Sequence, residues 1–331
     1  MSSPPHVPQP RRHVLRSKAP LAADGVALLD WLTRRFGYFD TDGWRTQIEA
    51  GRVEIGDRPA SSATVVHTGD SIAYFPAEAR DAAAEVAILH ADADLVVVDK
   101  PPFLVVQHTG AFVQYTFVHG LADRFPPAPP RHQLEPAHRL DRETSGVLVL
   151  ARSERAARGV QQQFEAGTVG KQYVAWVHGV VGADSLRVDA AIGNAKGSAI
   201  AARRAVVAAA TRGARHAVTE FTVEQRLPRH TLLRAVPRTG RTHQIRVHLE
   251  HLGHPVVGDK LYGHPDAHFL AYQTHLKQDG DPRWPGHAEV PRQLLHAAVL
   301  QCAHPGTGEP LEFRAPLPAD MALDGKPSPT A

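Results

Sequence analysis

Hydrophobic residues near the front of the chain first recur at helical spacing and then alternate as they do in strands. Apolar positions within residues 26–36 fall on one helical face, and a second short helix is predicted over residues 43–50. Val53 and Ile55 alternate before a Gly-Asp turn, and another strand is predicted over residues 72–74. The pattern therefore predicts a small unit of two helices followed by two strands.

The rest of the chain mixes strand and helix patterns without a regular strand-helix-strand repeat. Ser153 is a favourable N-cap for a helix that extends through Phe164 and ends at Gly167, and a second helix is predicted over residues 242–252. Short apolar or alternating runs predict strands at residues 95–98, 147–150, 173–177, 217–224 and 231–236. This irregular order favours an α+β fold over a doubly wound sheet.

Shifts in composition divide the chain into five predicted segments. They are a basic disordered arm (1–23), a small domain (24–77), a linker (78–85), a large domain (86–316) and a disordered tail (317–331). Within the large domain, residues 263–290 are rich in His, Gly, Pro and Asp, which predicts a surface excursion.

Composition limits the protein's location and partners. The single cysteine, Cys302, excludes an internal disulfide and a cysteine zinc knuckle, so a reducing cytoplasm is the expected location. The first residues lack the apolar core of a signal peptide, and no run approaches the roughly 20 apolar residues that cross a bilayer, so no membrane partner is expected. A net charge of +3 says little about nucleic acid, but no acidic residue precedes Asp24, which makes the arm a candidate for phosphate contacts.

The segment HRLDRETSG, residues 138–146, carries the most informative chemistry. Asp141 lies between Arg139 and Arg142, in a predicted loop that leads into a buried strand. A neighbouring guanidinium lowers the pKa of an aspartate by about 1–3 units, so Asp141 is expected to be ionised and to act as a nucleophile or a base. A second basic segment, residues 239–248, offers guanidinium, imidazole and amide groups near a helix start.

Four segments, in order, resemble the Rlu-type (RluA family) RNA pseudouridine synthases. They are VVVDKPPFLVV, HRLDRETSGVLVLAR, KQYVAWVHG and PRTGRTHQIRVHLEHLGHPVVGDKLYG, and LLHAAVLQCAHPGTGEPLEF is similar to the closing strands of that family. The resemblance covers residues 86–316. It implies the pseudouridine synthase fold, a mixed and mainly antiparallel sheet with flanking helices, and an enzyme that isomerises uridine in RNA without cofactor or metal.

The resemblance also assigns roles to residues. Asp141 matches the catalytic aspartate of the family, and whether it attacks the sugar or abstracts a proton stays open. Tyr173 matches the tyrosine that stacks on the target uracil, and Arg246 the arginine that pairs with the catalytic aspartate. Ile245 matches an apolar position of the base pocket, and Arg139 an arginine that helps to displace the target nucleotide.

The stretch GRVEIGDRPASSATVVHTGDSIAYF resembles part of the RNA-binding domain named after ribosomal protein S-four. Over residues 24–76 this implies an RNA-binding module in which Arg34, Arg35, Arg45 and Arg52 are the candidate contacts. Trp44 stands where a basic residue would strengthen the match.

Further RNA contacts are expected in the large domain from Arg142, Arg241, His243 and Gln244. Ribosomal RNA is favoured over transfer RNA as the substrate, and a monomer is expected. Gln107-His108 and the alanine-rich residues 193–215 depart from the family pattern, which bears on which RNA is modified.

Three other readings compete. The histidines at 243, 248, 251 and 254 suggest a metal-dependent hydrolase, but the spacing lacks an HExxH pair. HRLD resembles a kinase HRD loop, but no glycine-rich nucleotide loop accompanies it. An RNA-binding or ribosome-assembly protein that kept the fold and lost turnover is the non-enzymatic alternative, and the intact Asp141, Tyr173 and Arg246 argue against it.

Overall fold

The computed structural model describes residues 15–36, 39–74, 86–106, 118, 121, 124–126, 134–279, 283–284 and 290–323. The chain divides into two compact units: a front unit of residues 1–81 with 108–119, and a main unit of residues 82–107 with 120–331. The predicted linker, residues 78–85, and the Gln107-His108 pair lie outside the described residues.

The front unit is built from short antiparallel strands and two helices. The strands are β1 (Leu15–Lys18), β2 (Val26–Ala27), β3 (Val53–Ile55), β4 (Arg58–Pro59), β5 (Val65–Val66) and β6 (Ser71–Tyr74). One sheet has the order β1, β6, β3, β4, and β2 pairs separately with β5. Helices α1 (Leu28–Arg35) and α2 (Thr41–Glu49) follow β2 in the chain and pack against each other.

Trp44 lies at the centre of the front unit's core. Its side chain is buried, and its ring lies edge-on against Phe39 and Tyr74 with ring centroids 5.2 Å apart in both cases. The indole Nε1 donates a hydrogen bond to the carbonyl oxygen of Phe36. The position at which a basic residue would have strengthened the RNA-binding resemblance is thus occupied by a core residue.

The helices and strands predicted in this part of the chain are confirmed, but the predicted disordered arm is too long. Residues 15–18 form β1 and pair with β6 from Leu15 opposite Tyr74 to Lys18 opposite Ser71. Ala23 is buried in the core. Backbone pairing orders this segment, and its polar sequence gives no sign of it. Residues 1–14 lie outside the described part.

The main unit contains a ten-stranded mixed sheet. Its strands are β7 (Ala87–Ala91), β8 (Leu95–Lys100), β9 (Glu135–Pro136), β10 (Ser145–Ala151), β11 (Gly170–His178), β12 (Ser185–Asp189), β15 (Val218–Arg226), β16 (His230–Pro237), β17 (Leu295–Ala303) and β18 (Pro310–Arg314). The order is β12, β15, β16, β11, β17, β10, β8, β7, with β18 paired to β17 and β9 to β10. A separate hairpin joins β13 (Ile192–Asn194) and β14 (Arg204–Val206).

Strand β10 connects the informative loop to the sheet. All seven of its residues are buried, as its unbroken apolar sequence predicts. It pairs antiparallel with β8 and parallel with β17, where Ser145 lies opposite His296. The other pairings among the described strands of this sheet are antiparallel, which confirms the predicted α+β class.

Three helices with described bounds lie in the main unit: α3 (Glu154–Ala166), α4 (Gln244–His251) and α5 (Asp266–Asp279). As predicted, the Ser153 hydroxyl caps α3 by accepting from the backbone N–H of Ala156, and Gly167 ends it in the left-handed conformation. Within the described part of the chain, no helix is long and apolar enough to cross a membrane.

Two predictions for the main unit are wrong in part. The surface excursion at 263–290 contains the 14-residue helix α5, which buries Tyr272. The tail predicted to be disordered from residue 317 is ordered as far as residue 323, because Met321 is buried and its carbonyl oxygen accepts a hydrogen bond from Trp176 Nε1 at 2.6 Å. Residues 324–331 lie outside the described part.

The sheet leaves no space for a side chain at Gly146, which has a φ of 112° and whose added Cβ would lie 2.2 Å from the carbonyl oxygen of Ala297. Gly146→Ala should lower the free energy of unfolding by at least about 2 kcal/mol, because backbone strain and a clash with backbone atoms combine. Gly167→Ala is the matched control, since its φ is also positive but the space around it is open, and its cost should be about 1 kcal/mol. Urea unfolding followed by circular dichroism measures both, and equal losses would contradict this packing.

Candidate active site

A cleft of about 590 Å³ opens in the main unit beside the loop that precedes β10. The HRLD loop, the start of β11, the buried face of α3 and the segment leading into α4 contribute its walls. The lining residues are 135–141, 144, 157, 161, 164, 171, 173, 237, 239–246 and 295. The candidate catalytic residue, Asp141, borders this cleft together with the four residues expected to support it: Tyr173, Arg246, Arg139 and Ile245.

Buried basic side chains hold the backbone of the loop in place. Lys100, fully buried at the end of β8, donates from Nζ to the carbonyl oxygens of Pro101 and Arg142 at 2.8 and 3.1 Å. Arg292, also fully buried, donates from Nη1 to the carbonyl oxygen of Glu143 at 3.2 Å. Backbone carbonyls that face inward therefore accept hydrogen bonds from basic side chains instead of water.

Side chains of the loop are fixed as firmly as its backbone. The Glu143 carboxylate accepts from Lys260 Nζ at 2.8 and 2.9 Å and from the backbone N–H of Gln293 at 3.0 Å. The Gln293 amide donates to the Thr144 hydroxyl at 2.7 Å. A buried ion pair needs such additional hydrogen bonds to offset the loss of hydration, so this arrangement specifies one loop conformation.

Arg246 bridges two carboxylates. Its Nη1 donates to Asp141 Oδ2 at 2.6 Å, while Nε and Nη2 donate to the two oxygens of Asp259 at 2.6 and 2.9 Å. Asp259 is buried and also accepts from the backbone N–H groups of Leu261 and Tyr262. The guanidinium lies over the Tyr262 ring, 4.8 Å from its centroid. Asp259 therefore fixes the direction in which Arg246 reaches Asp141.

Asp141 is ionised at neutral pH. Burial raises the pKa of Asp141, but the charges of a protonated His243 and of Arg246, with hydrogen bonds from Arg246 and Gln293, lower it to about 2. Burial lowers the pKa of His243 to about 4, so this ring is neutral at pH 7 and Arg246 is then the cation that keeps Asp141 charged. A carboxylate in this state can act as a nucleophile or a base and not as an acid.

His243 has an unusual backbone conformation. Its φ of 57° and ψ of 20° are left-handed values that a residue with a Cβ rarely adopts, and it immediately precedes α4. The conformation aims the imidazole between two partners, with Nδ1 2.8 Å from the Tyr262 hydroxyl and Nε2 3.9 Å from Asp141 Oδ1. Such strain persists where surrounding contacts determine it, and it often marks a functional position.

Tyr173 and Ile245 form an apolar wall next to Asp141. Tyr173 is half-buried on β11, and burial together with the charge of Asp141 raises the pKa of its hydroxyl above the ordinary value of 10.0, so the phenol is neutral. Ile245 is buried and packs with Ala175 and Leu295 in the core behind the cleft. Ile245 therefore belongs to the core and also borders the cleft.

Some of the residues expected to contact RNA in the main unit are accessible at the cleft, and others are not. Arg139 is exposed at the cleft, and Arg241 lines it while donating from Nε to the carbonyl oxygen of His216. Arg142 is outside the cleft lining and interacts with Tyr272. Gln244 is buried, and its amide is fully used within the protein, so the structure does not support it as an RNA contact.

The partners of Gln244 explain how the segment before α4 is held. Its Oε1 accepts from the Thr239 hydroxyl and from the backbone N–H of Arg241 at 2.7 and 3.0 Å. Its Nε2 donates to the Val218 carbonyl oxygen and the Thr219 hydroxyl at 2.9 and 3.0 Å. The side chain thus ties the start of α4 to β15.

Sequence reasoning missed several residues of the site. Asp259, Lys260 and Tyr262 belong to the GDKLYG segment, which was matched to the family without a role. The segment VVGDKLYG places charged residues between apolar ones. Because buried charges need partners, this pattern could have indicated that these residues pair with other groups of the site. Lys171 was also missed, although it lines the cleft, and burial together with the charge of Arg241 lowers the pKa of its amine.

In the front unit, the four candidate arginines differ in exposure. Arg34 and Arg35 are exposed in the last turn of α1. Arg45 is exposed and paired with Asp42, while Arg52 is half-buried and donates to Gln47 Oε1 at 3.0 Å. Arg34 and Arg35 are therefore the more accessible pair.

Three of the four histidines considered for a metal site, His243, His248 and His254, bond to protein groups. His248 contacts the Thr219 hydroxyl and the Ala190 carbonyl oxygen, and His254 Nδ1 contacts the carbonyl oxygen of His178. Over the described ranges, no group of three or more His, Cys, Asp or Glu side chains is arranged to hold a metal ion.

Comparison with known proteins agrees with this geometry. A model of the RNA pseudouridylate synthase family matches residues 94–251. An uncharacterized RNA pseudouridine synthase of Bacillus subtilis is 34% identical over 86% of this chain and 89% of its own length. Ribosomal large subunit pseudouridine synthase D of Pseudomonas aeruginosa is 32% identical over 84% of this chain and 83% of its own. The structure of human RNA pseudouridylate synthase domain containing 4 is 27% identical, with a TM-score of 0.54 over 74% of this chain and 93% of that one.

The neutrality of His243 is directly testable. Because its folded pKa of about 4 lies below the ordinary 6.5, its NMR signals should titrate with a midpoint near pH 4, and His243→Asn identifies them by their loss. Because the unfolded chain binds the His243 proton more tightly than the folded protein does, protonation favours unfolding. The contribution of neutral His243 to the free energy of unfolding is therefore complete above about pH 6.5 and is lost as the pH falls toward 4. A midpoint near 6.5 would contradict the burial of this ring.

Proposed function

The chain belongs to the RNA pseudouridine synthase family, enzymes that isomerise uridine to pseudouridine, and on this premise we propose that it modifies uridines of large-subunit ribosomal RNA with Asp141 as the catalytic carboxylate. The reaction breaks the bond between uracil N1 and the sugar C1′ and forms one between C5 and C1′. A proton leaves C5 and one is gained at N1, so the overall change is an isomerisation.

One observation carries the assignment of Asp141. It is an ionised carboxylate that lines the cleft, and its Oδ2 is held by Arg246. Both proposed routes, attack on the sugar and abstraction of a sugar proton, need a charged and correctly oriented oxygen of this kind. Arg246 is proposed as the residue that supplies charge and orientation, and Asp259 as the residue that orients Arg246.

Tyr173 and Ile245 are proposed to receive the displaced uracil. Extraction of a base from its stack costs a few kcal/mol, and an aromatic platform returns about 1–3 kcal/mol per base. Loops and bulges are thus the favoured targets, because their bases are already partly unstacked. Arg139, Lys171 and Arg241 at the cleft are proposed to contact the RNA backbone.

The proposed substrate class rests on the names of relatives, several of which are ribosomal large subunit synthases. The front unit is proposed to be an S-four-like RNA-binding module, with Arg34 and Arg35 as its accessible cations. We propose further that the protein acts as a monomer in the cytoplasm, where bacterial ribosomes are assembled. A purely RNA-binding role and transfer RNA as substrate are the less favoured alternatives.

Asp141→Asn should bind RNA within about threefold of wild type but lose at least about a thousandfold in turnover, because the amide keeps the shape and removes the charge. Release of tritium from C5 of uracil in labelled ribosomal RNA measures turnover, and filter binding measures affinity. Asp184→Asn, which alters a side chain that is 90% exposed, is the matched control and should turn over like wild type. Comparable turnover by Asp141→Asn and wild type would remove Asp141 from its assigned role.

Deletion of the gene should abolish pseudouridine at one or a few positions of large-subunit ribosomal RNA. Chemical mapping of pseudouridine in cells with and without the gene measures this, and a wild-type copy should restore the modification where an Asp141→Asn copy does not. Loss confined to transfer RNA would contradict the proposed substrate. An unchanged map, or restoration by the Asn variant, would argue against an enzymatic role.

A further inference from the structure

His243 and Asp141 both line the cleft, and each has a polar atom close to one of the other. His243 Nε2 lies 3.9 Å from Asp141 Oδ1, which is too far for a direct hydrogen bond. One oxygen atom can, however, lie about 2.8 Å from both. Arg246 bonds to Oδ2, and Gln293 also bonds to the carboxylate. An ionised carboxylate has roughly four acceptor sites, so Oδ1 can still accept another hydrogen bond. The pair can therefore share one hydroxyl between them.

The environment of His243 determines which ring nitrogen carries the proton. The Tyr262 oxygen accepts from the backbone N–H of Arg204 at 3.2 Å and lies 2.8 Å from His243 Nδ1. Among the described residues no other acceptor is bonded to this hydroxyl, so its hydrogen points to Nδ1. Burial raises the pKa of Tyr262, which keeps that hydrogen in place. A neutral His243 then has its remaining hydrogen on Nε2, which makes Nε2 a donor toward the cleft.

Asp141 and His243 thus form a donor and acceptor pair of defined polarity. An ionised carboxylate only accepts, and Nε2–H only donates. A hydroxyl matches both atoms, because it donates one hydrogen and also accepts. A hydrogen atom, a fluorine or an ether oxygen in the same place satisfies at most one of them.

Within an RNA chain, each nucleotide has a single free sugar hydroxyl. The 3′ and 5′ oxygens are esterified to phosphate, and only the 2′-hydroxyl remains, on the carbon next to C1′. A carboxylate that acts at the sugar beside the bond to uracil is therefore within reach of this group. We propose that His243 and Asp141 together bind the 2′-hydroxyl of the target nucleotide, and that His243 makes the enzyme selective for ribonucleotides over deoxyribonucleotides.

This inference rests on the proposed function and extends it to a residue with a separate task. The 2′-hydroxyl is the group that distinguishes RNA from DNA at a single site. The left-handed backbone at His243 is then explained as the conformation that aims Nε2 at the sugar, with Tyr262 as the positioning residue behind it. Asp141 keeps its catalytic role, and His243 binds the substrate.

The test is a cycle of two enzymes and three substrates. A synthetic RNA hairpin centred on the uridine identified by pseudouridine mapping is prepared with uridine, 2′-deoxyuridine or 2′-fluoro-2′-deoxyuridine at the target. The kcat/KM of wild type and of His243→Phe is measured on each. Effects of the 2′ substituent on the chemistry itself are common to both enzymes and cancel in the ratio of their preferences.

Wild type should prefer uridine over 2′-deoxyuridine by about tenfold more than His243→Phe does, because the variant cannot donate to the hydroxyl. In the same ratio of preferences the fluoro substrate should behave like the deoxy substrate, since fluorine accepts a hydrogen bond from Nε2–H much more weakly than a hydroxyl oxygen does. A ratio of preferences of about twofold or less would overturn the inference. Failure of wild type on the unmodified hairpin is a different result and would overturn the proposed function itself.

Two further variants separate hydrogen bonding from misfolding. His243→Gln carries an amide donor near the position of Nε2 and should keep most of the preference for uridine. Tyr262→Phe leaves the imidazole but removes the hydroxyl that fixes its proton, so it should lose part of the preference. Unfolding midpoints of all variants are measured alongside. Equal preferences in the Gln and Phe variants of His243 would show that the ring only fills space, and would contradict the proposal.

Discussion

The guanidinium of Arg246, buried between Asp141 and Asp259, is the interaction on which the site depends. Burial alone favours the protonated form of a carboxyl group, so Asp141 needs the charge of Arg246 and the hydrogen bonds of Arg246 and Gln293 to stay ionised in its partly buried position. One cation between two carboxylates leaves an excess of negative charge. The hydrogen bonds that Asp259 accepts from two backbone N–H groups stabilise this charge. The cost of dehydrating these groups is met only when all of them are in place.

Other buried basic side chains support the same loop from elsewhere in the main unit. Lys100, Lys260 and Arg292 come from separate parts of the chain, and each donates to the backbone or side chains of the loop that carries Asp141. Arg292 is in turn paired with Asp320, beyond the predicted end of the domain. The ordered segment after residue 316 therefore supports the loop from behind. Residues that stabilise the fold therefore also hold the loop of the site.

Local patterns in the sequence were sufficient for elements whose cause is local. The cap at Ser153, the end of α3 at Gly167 and the buried strand β10 follow from side-chain chemistry within a few residues. Asp141 and Arg246 were marked as candidates by motif and lie in one cleft. Asp259 was missed, and Gln244 was given the wrong partners, because burial of a charge or an amide depends on segments far away in the chain. The spacing of residues in the sequence does not reveal such long-range contacts.

The cleft combines directional polar groups with an apolar wall, and the proposed reaction gives each of them a purpose. The sugar must stay in place while its bond to the base breaks and another forms, and directional hydrogen bonds and charges around Asp141 can hold it. The uracil must turn between these two events. Tyr173, Ile245 and Leu295 offer mainly a face and an apolar surface, which interact with the ring in either orientation because such contacts are not directional. A polar wall there would stabilise one orientation and oppose the turn. On the proposed assignment of these residues, the aromatic and apolar composition of that wall is as much a requirement of the chemistry as the charge on the aspartate.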